Sequence, residues 1–219
     1  MIDDRLQAII NFIPQTARVA DIGTDHGYWA IELARKNIFV IAGDKNFAPC
    51  IAAKKNIASA GLSIEVRQGD GLKILRAGEV DTVCIAGMGG SLICEILSNS
   101  PDILETVDKI ILQPMNATDK ILSWIEANDF FVADINLAEV GGIIYEIICA
   151  SKNISDVKKI FTKENSPLLK KFLEQRLNKF LRIQSEMLKS STATQSEKFL
   201  QVQEEINLLK IKINRQSSD

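Results

Sequence analysis

Five short segments of this 219-residue chain set acidic or amide side chains beside glycines or proline, a combination suited to a ligand bearing hydroxyls and a cationic group. The first is Val-Ala-Asp-Ile-Gly-Thr-Asp-His-Gly, residues 19–27, an apolar run leading to a helical stretch that begins at Tyr28. Gly23 and Gly27 let backbone approach a ligand closely, and the free N–H groups of a helix start face the same turn. The spacing is not the dinucleotide fingerprint G-x-G-x-x-G. Asp25 stands where that fingerprint takes a small residue, and a carboxylate there repels a pyrophosphate. The ammonium of a methionine-like zwitterion is instead matched by Asp21 and Asp25, with Thr24 between them; Asp21 as a cap or turn residue is the other reading.

Ile-Ala-Gly-Asp, residues 41–44, places Asp44 about 20 residues beyond that turn, where a carboxylate accepts both hydroxyls of an adenosine ribose and excludes a 2′-phosphate. Lys45 follows it. A cap on a helix starting near Phe47 is the other reading of Asp44. In Gln-Gly-Asp-Gly, Asp70 lies between Gly69 and Gly71, placed either to accept from an adenine amino group or within a plain turn. Ile-Ala-Gly-Met-Gly-Gly, residues 85–90, carries Ala86, Gly87 and Met88; so many glycines between a strand and a helix leave room for the methionine end of the same ligand. Met88 packs against that ligand or fills a core gap. Gln-Pro-Met-Asn, residues 113–116, is a rigid polar exit whose Gln113 and Asn116 amides suit a nitrogenous acceptor base or belong to a plain turn before a helix. His26 and Tyr28 can hydrogen-bond or stack on a base, a structural role being the other reading of His26.

The elements that must carry these segments follow from periodicity. Runs rich in β-branched residues predict seven strands, at 19–22, 39–43, 64–68, 80–86, 109–112, 130–139 and 142–151. Helical candidates lie between them at 4–12, 28–36, 47–60, 71–74, 89–98 and 118–128. This alternation predicts an α/β, Rossmann-like, doubly wound sheet with every singled-out turn at its carboxyl edge. The last two strands, separated by Val140 and Gly141, form an antiparallel hairpin. Such an ending is typical of class I methyltransferase sheets and is not obligatory in a nicotinamide-binding one.

The character of the chain changes after Ser151, so domains are expected at 1–154 and 155–219. Helices are expected at 167–189 and 194–216, joined by a polar loop. Phe199, Val202, Ile206, Leu209 and Ile213 form a heptad-like seam on the second, and Leu169, Leu173, Leu177, Phe180 and Met187 a less regular stripe on the first. The pair predicts a coiled-coil-like helical hairpin. Residues 1–154 carry 13 Lys+Arg against 20 Asp+Glu, whereas 155–219 carry 13 against 8, giving −7 and +5. The basic part points to a polyanionic partner, with a solvated helix pair as the plain alternative. Lys158, Lys159, Lys163, Lys170, Lys171, Arg176, Lys179 and Arg182 are its candidate phosphate contacts.

Hydrophobic residues make up 46% and charged residues 25% of the chain, and no apolar run is long enough for a bilayer, so a soluble protein without a membrane partner is expected. The stretch Met1–Arg5 is acidic and polar, which predicts no secretory signal and a cytoplasmic location. Cys50, Cys84, Cys94 and Cys149 form no CxxC pair and His26 is the single histidine, so no metal site is expected.

Taken together, A-D-I-G-T-D-H-G-Y, A-G-D, R-Q-G-D-G, I-A-G-M-G-G and I-L-Q-P-M-N resemble one family, the bacterial tRNA (adenine-N1)-methyltransferases of the TrmK type, which modify adenosine 22. The resemblance runs from about Arg5 to Ala150, and the hairpin fits the family's coiled-coil C-terminal domain. Two departures stand out: Q-P-M-N where members carry Q-P-N, and Gly27 where many carry alanine. The resemblance implies S-adenosyl-L-methionine as cofactor and tRNA as partner. Adenine N1 has an in-plane lone pair, so the reaction needs alignment and stabilisation of a cationic product more than a base. Asp25 suits that role. Two other functions fit the residues: a small-molecule methyltransferase with the hairpin as lid or dimer contact, and an RNA-binding module that keeps the cofactor fold without turnover. A monomer or weak homodimer is expected.

Overall fold

The structure, a computed structural model, describes residues 2–156 and 167–215. The chain divides into two compact units, Met1–Ile160 and Phe161–Asp219. Among the described residues no helix is long and apolar enough to cross a membrane.

The first unit is a seven-stranded sheet of β1 (Arg18–Ile22), β2 (Phe39–Asp44), β3 (Glu65–Gln68), β4 (Thr82–Met88), β5 (Lys109–Pro114), β6 (Phe131–Val140) and β7 (Ile143–Ser151). Their spatial order is β3-β2-β1-β4-β5-β7-β6. Strands β1 to β5 pair in parallel, and β7 lies antiparallel between β5 and β6. Parallel strands are covered on both faces, so they read as nearly continuous apolar runs. Alternation sorts their side chains: Val19, Cys84 and Ile111 join one core, while Ala20, Val83, Ile85, Ile110 and Leu112 join the other.

The first core is closed by α1 (Asp4–Ile10), α2 (Tyr28–Arg35) and α3 (Phe47–Ser59), through Ile9, Leu33 and Ala53 among others. The second is closed by α4 (Gly90–Ser98), α5 (Pro101–Leu104), α6 (Thr118–Glu126) and a 3₁₀ turn at Gly71–Ile74, through Ile93, Leu104, Ile121 and Leu72. Strand order reverses between β1 and β4, the switch point at whose carboxyl ends sheets of this kind take their ligands.

Two local readings change. The β6–β7 turn is Gly141-Gly142, one residue later than expected, with φ of 60° and 81°. A two-residue turn positive at both centres suits the twist of a hairpin, and glycine reaches it without strain. Helix α5 was unexpected; Pro101 starts it, where the missing N–H costs nothing.

The second unit packs α7 (Pro167–Met187) against α9 (Glu197–Arg215), with the short α8 (Ser191–Thr194) between them. Phe199, Val202, Ile206 and Leu209 are buried as the seam required, with Leu173 from α7. The stretch read as a polar loop is mostly α8, capped by the Ser190 hydroxyl accepting from the Ala193 N–H. Ser196 in turn accepts from the Phe199 N–H, so α9 begins three residues later than expected.

Candidate functional site

The turn after β1 alternates into left-handed backbone at Gly23, Asp25 and Gly27, with φ of 81°, 51° and 73°. Asp25 holds that conformation as a non-glycine residue, a strain that persists only where the surroundings fix it. The Gly23 and Thr24 N–H groups both donate to the Gly43 carbonyl, at 2.8 and 2.9 Å, locking the turn to the end of β2. Asp21 is buried beneath it and accepts a 2.6 Å hydrogen bond from the Thr24 hydroxyl. Burial pushes its pKa from 3.8 up to about 6; the Thr24 hydrogen bond opposes the rise and the Asp44 charge adds to it.

That rise has a sign. Between pH 4 and 6 the folded chain holds a proton on Asp21 that the unfolded chain has lost, so this group's contribution to stability falls as pH rises. The change from 3.8 to about 6 corresponds to about 3 kcal/mol. Asp21→Asn removes the titration. Urea unfolding across this range is expected to show the variant gaining on the native chain by up to about 3 kcal/mol on going from pH 4 to 7. A difference that stays constant with pH would contradict the buried carboxylate.

At the end of β2, Asp44 is not the cap of α3, whose N-cap is Asn46; it shapes the turn that precedes the helix. One carboxylate oxygen accepts the Asn46 N–H at 2.9 Å, setting the turn into α3. The other takes no hydrogen bond among the described residues. Lys45 Nζ lies 3.2 Å from Asp70 Oδ1, joining the exits of β2 and β3, with both side chains more than half exposed. The glycines flanking Asp70 have a packing reason that sequence did not show. A Cβ on Gly69 would meet Ile74 Cγ2 at 2.6 Å, and one on Gly71 would meet Ile96 Cγ2 at 2.8 Å. Only their backbone is left for a ligand.

The β4 exit also departs from expectation. A Cβ on Gly23 would collide with the Met88 methyl, so Met88 lies against the glycine turn. Ala86 is half-buried and Gly87 has a φ of 75°. Gly90 is filled from the protein side: a Cβ there would sit 2.5 Å from the Ala117 carbonyl oxygen and 2.7 Å from that of Asn116. The Gly90 N–H donates to the Asn116 carbonyl at 3.1 Å and the Met115 N–H to the Met88 carbonyl at 2.8 Å. These glycines bring the β4 and β5 exits together as well as leaving space.

Gln113 is the main correction among the acceptor residues. It is 0% exposed, so it is not a surface for substrate. Its Oε1 accepts from Arg5 Nη1 at 2.9 Å and from the Gly87 N–H at 3.1 Å, and its Nε2 donates to the Pro114 carbonyl at 2.9 Å. A buried amide must satisfy its donors and acceptor internally, and Gln113 does so by tying α1, β4 and β5 together. Asn116, by contrast, is exposed beside Ala117, whose φ is 52°. His26 and Tyr28 stack with ring centroids 5.7 Å apart, and Tyr28 is 57% exposed. His26 Nε2 lies 3.6 Å from Asp25 Oδ1, and the His26 carbonyl accepts from Asn56 Nδ2 at 2.9 Å. A cavity of about 300 Å³ borders Tyr28 between α2 and α3, with no strand residue in its lining.

Sequence reasoning missed Arg5 and Tyr145. The Arg5 guanidinium carbon lies 5.5 Å from the centre of the Tyr145 ring, beside Gln113. In the second unit, Lys170, Lys171, Lys179 and Arg182 lie on α7, the last three exposed and Lys170 half-buried. Arg176 is engaged within the unit, 3.0 Å from Glu205 Oε1 and 5.9 Å from the Phe180 ring. Lys158, Lys159 and Lys163 lie outside the described residues.

A family model described as a methyltransferase domain matches residues 2–148. A curated relative, the tRNA (adenine(22)-N(1))-methyltransferase of Bacillus subtilis (strain 168), is 38% identical over 157 residues, spanning 69% of this chain and 66% of that protein. The crystal structure of the B. subtilis M1A22 tRNA methyltransferase TrmK matches with a TM-score of 0.80 at 30% identity, covering 97% of this chain and 99% of that one. A Streptococcus pneumoniae structure solved in complex with S-adenosyl-L-methionine matches with a TM-score of 0.83 at 29% identity, covering 97% and 100%.

Sheet order, with its switch point between β1 and β4, and the family model define a methyltransferase of the doubly wound class. Within that class, the chain belongs to the tRNA (adenine(22)-N1)-methyltransferase family.

Proposed function

We propose that this chain methylates N1 of adenosine 22 in tRNA, in the cytoplasm, with S-adenosyl-L-methionine as donor. The observation that carries the reading is the convergence of Asp21, Asp44 and the left-handed Gly23 turn on one sheet edge, in a chain that matches the B. subtilis enzyme over nearly its whole length. The residues fit the cofactor. Asp44 keeps one carboxylate oxygen without a hydrogen bond among the described residues for ribose hydroxyls, and buried Asp21 gains a reason to ionise when an ammonium is near. Gly23, Thr24, Gly27, Ala86, Gly87 and Met88 form the remaining wall, with Lys45, Gly69, Asp70 and Gly71 at the adenine end.

When bound, the cofactor supplies a methyl group on a sulfonium, which is electrophilic without further activation. The protein's task is alignment. Adenine N1 attacks with its own lone pair, so no side chain need remove a proton first. Asp25, 70% exposed in its side chain at the rim of the turn, offers a negative charge to the cation that forms on the base. The His26–Tyr28 stack offers an aromatic surface for the base, and the exposed Asn116 amide a hydrogen-bonding partner. Gln113, buried at the β5 exit, serves as a positioning residue through Arg5 and Gly87. N1 lies on the Watson–Crick edge, so the nucleotide must leave its pair or stack first, with α7 lysines holding the surrounding RNA.

The test is to incubate the pure protein with radiolabelled S-adenosyl-L-methionine and unmodified tRNA, then map the label by primer extension. Label at nucleotide 22, absent from an A22→G transcript, is the expected result. Transfer only to small molecules, or binding without transfer, would instead support the small-molecule enzyme or the inert RNA-binding module.

A further inference from the structure

Arg5 projects from the first turn of α1 to the acceptor side of the crevice. Its Nη1 donates to Gln113 at the β5 exit, and it lies 3.5 Å from where a Cβ on Gly87 would stand. Its guanidinium carbon is 5.5 Å from the centre of the half-buried Tyr145 ring on β7. One cation thus touches the ends of β4 and β5 and the second strand of the hairpin. Its side chain is 22% exposed, so part of it remains accessible.

Among the described residues the charge meets one carboxylate, and that at ion-pair rather than hydrogen-bond distance. It belongs to Asp3, whose Oδ2 lies 3.6 Å from Arg5 Nη2, while its Oδ1 caps α1 by accepting the Leu6 N–H at 2.9 Å. A guanidinium carries five N–H donors and stays charged at every working pH. Gln113 takes one of them, and stacking on Tyr145 leaves the rim of the group open. Methylating N1 creates a cation on the base, so a guanidinium directed at the base would oppose the reaction. The anion that the substrate itself brings to this edge is a phosphodiester of its backbone.

We propose that Arg5, held by Gln113 and Tyr145, is a phosphate seat for the RNA backbone next to the extruded nucleotide. The proposal rests on the tRNA reading above. Its position lets one side chain brace the acceptor loops and hold the strand while the base turns inward. Bidentate geometry makes arginine better suited to this than lysine.

The test is steady-state methylation of tRNA by the full chain at saturating S-adenosyl-L-methionine, for the native protein, Arg5→Gln and Arg5→Lys, across about 50 to 200 mM salt. For Arg5→Gln the fall in kcat/KM is expected to be about tenfold and carried by KM, because a charge-assisted hydrogen bond is lost. The slope of log kcat/KM against log salt should fall by nearly one, the signature of one lost phosphate contact. Arg5→Lys should retain the slope and lose less in KM, which keeps the proposal testable if Arg5→Gln folds poorly. A loss confined to kcat with KM and salt slope unchanged would make Arg5 a brace for Gln113 only and overturn the phosphate seat, as would unchanged kinetics. Failure of the native protein to methylate tRNA would instead remove the functional reading itself.

Discussion

Replacing Asp44 with alanine is expected to weaken S-adenosyl-L-methionine binding by about a hundredfold, from the loss of two charge-assisted hydrogen bonds to ribose hydroxyls. The structure separates this loss from unfolding. Asp44 uses one oxygen on the Asn46 N–H and keeps the other without a partner among the described residues. Losing the turn hydrogen bond costs about 1 kcal/mol of stability, far less than would unfold a domain. Asp44→Asn retains an oxygen for Asn46 but not the charge, so it should bind with intermediate affinity and melt close to the native chain. Isothermal titration of both variants checks the ranking. Equal affinity in Asp44→Ala would mean that ribose is held elsewhere.

The second large effect is expected at Gln113. Gln113→Leu keeps the volume but strands the Arg5 guanidinium and the Gly87 N–H, each of which now donates to Oε1. Leaving a partly buried donor unsatisfied costs about 1 to 3 kcal/mol, so the melting temperature should fall by several degrees. Catalysis should suffer more. The β4 and β5 exits lose their common tie, and a displacement of about 1 Å in a positioning group is enough to slow transfer about a hundredfold. Cofactor affinity should change less, because Asp21 and Asp44 lie on β1 and β2 and, of the cofactor wall, Gln113 holds Gly87 alone among the described residues. Single-turnover methylation alongside calorimetry separates the two; a parallel loss of cofactor affinity would show that Gln113 supports the whole crevice instead.

These two residues show what sequence can carry. The placement of Asp44 was legible because it is local: a carboxylate at a strand end, a fixed distance from a glycine turn, ahead of a helix. The strands were legible for the same reason, since a parallel sheet covered on both faces demands unbroken apolar runs. Gln113 was recognised as important but given the wrong surroundings. Its partner Arg5 is 108 residues away, and no local pattern connects α1 with the exit of β5. Glycines misled in a similar way. Lack of a side chain at Gly69, Gly71 and Gly90 makes room for Ile74, Ile96 and the Asn116–Ala117 backbone, neighbours that only the folded chain supplies. The second unit shows the converse. Its seam of Phe199, Val202, Ile206 and Leu209 follows helical spacing, whereas the break at α8 depends on which of several serines caps a helix.

The crevice at the β1–β4 reversal is the claim on which the rest depends, and direct titration of the full chain with S-adenosyl-L-methionine tests it most simply. A saturable one-to-one binding isotherm, lost in Asp44→Ala, is the predicted result. A flat titration of folded protein, or binding indifferent to Asp44, would contradict it.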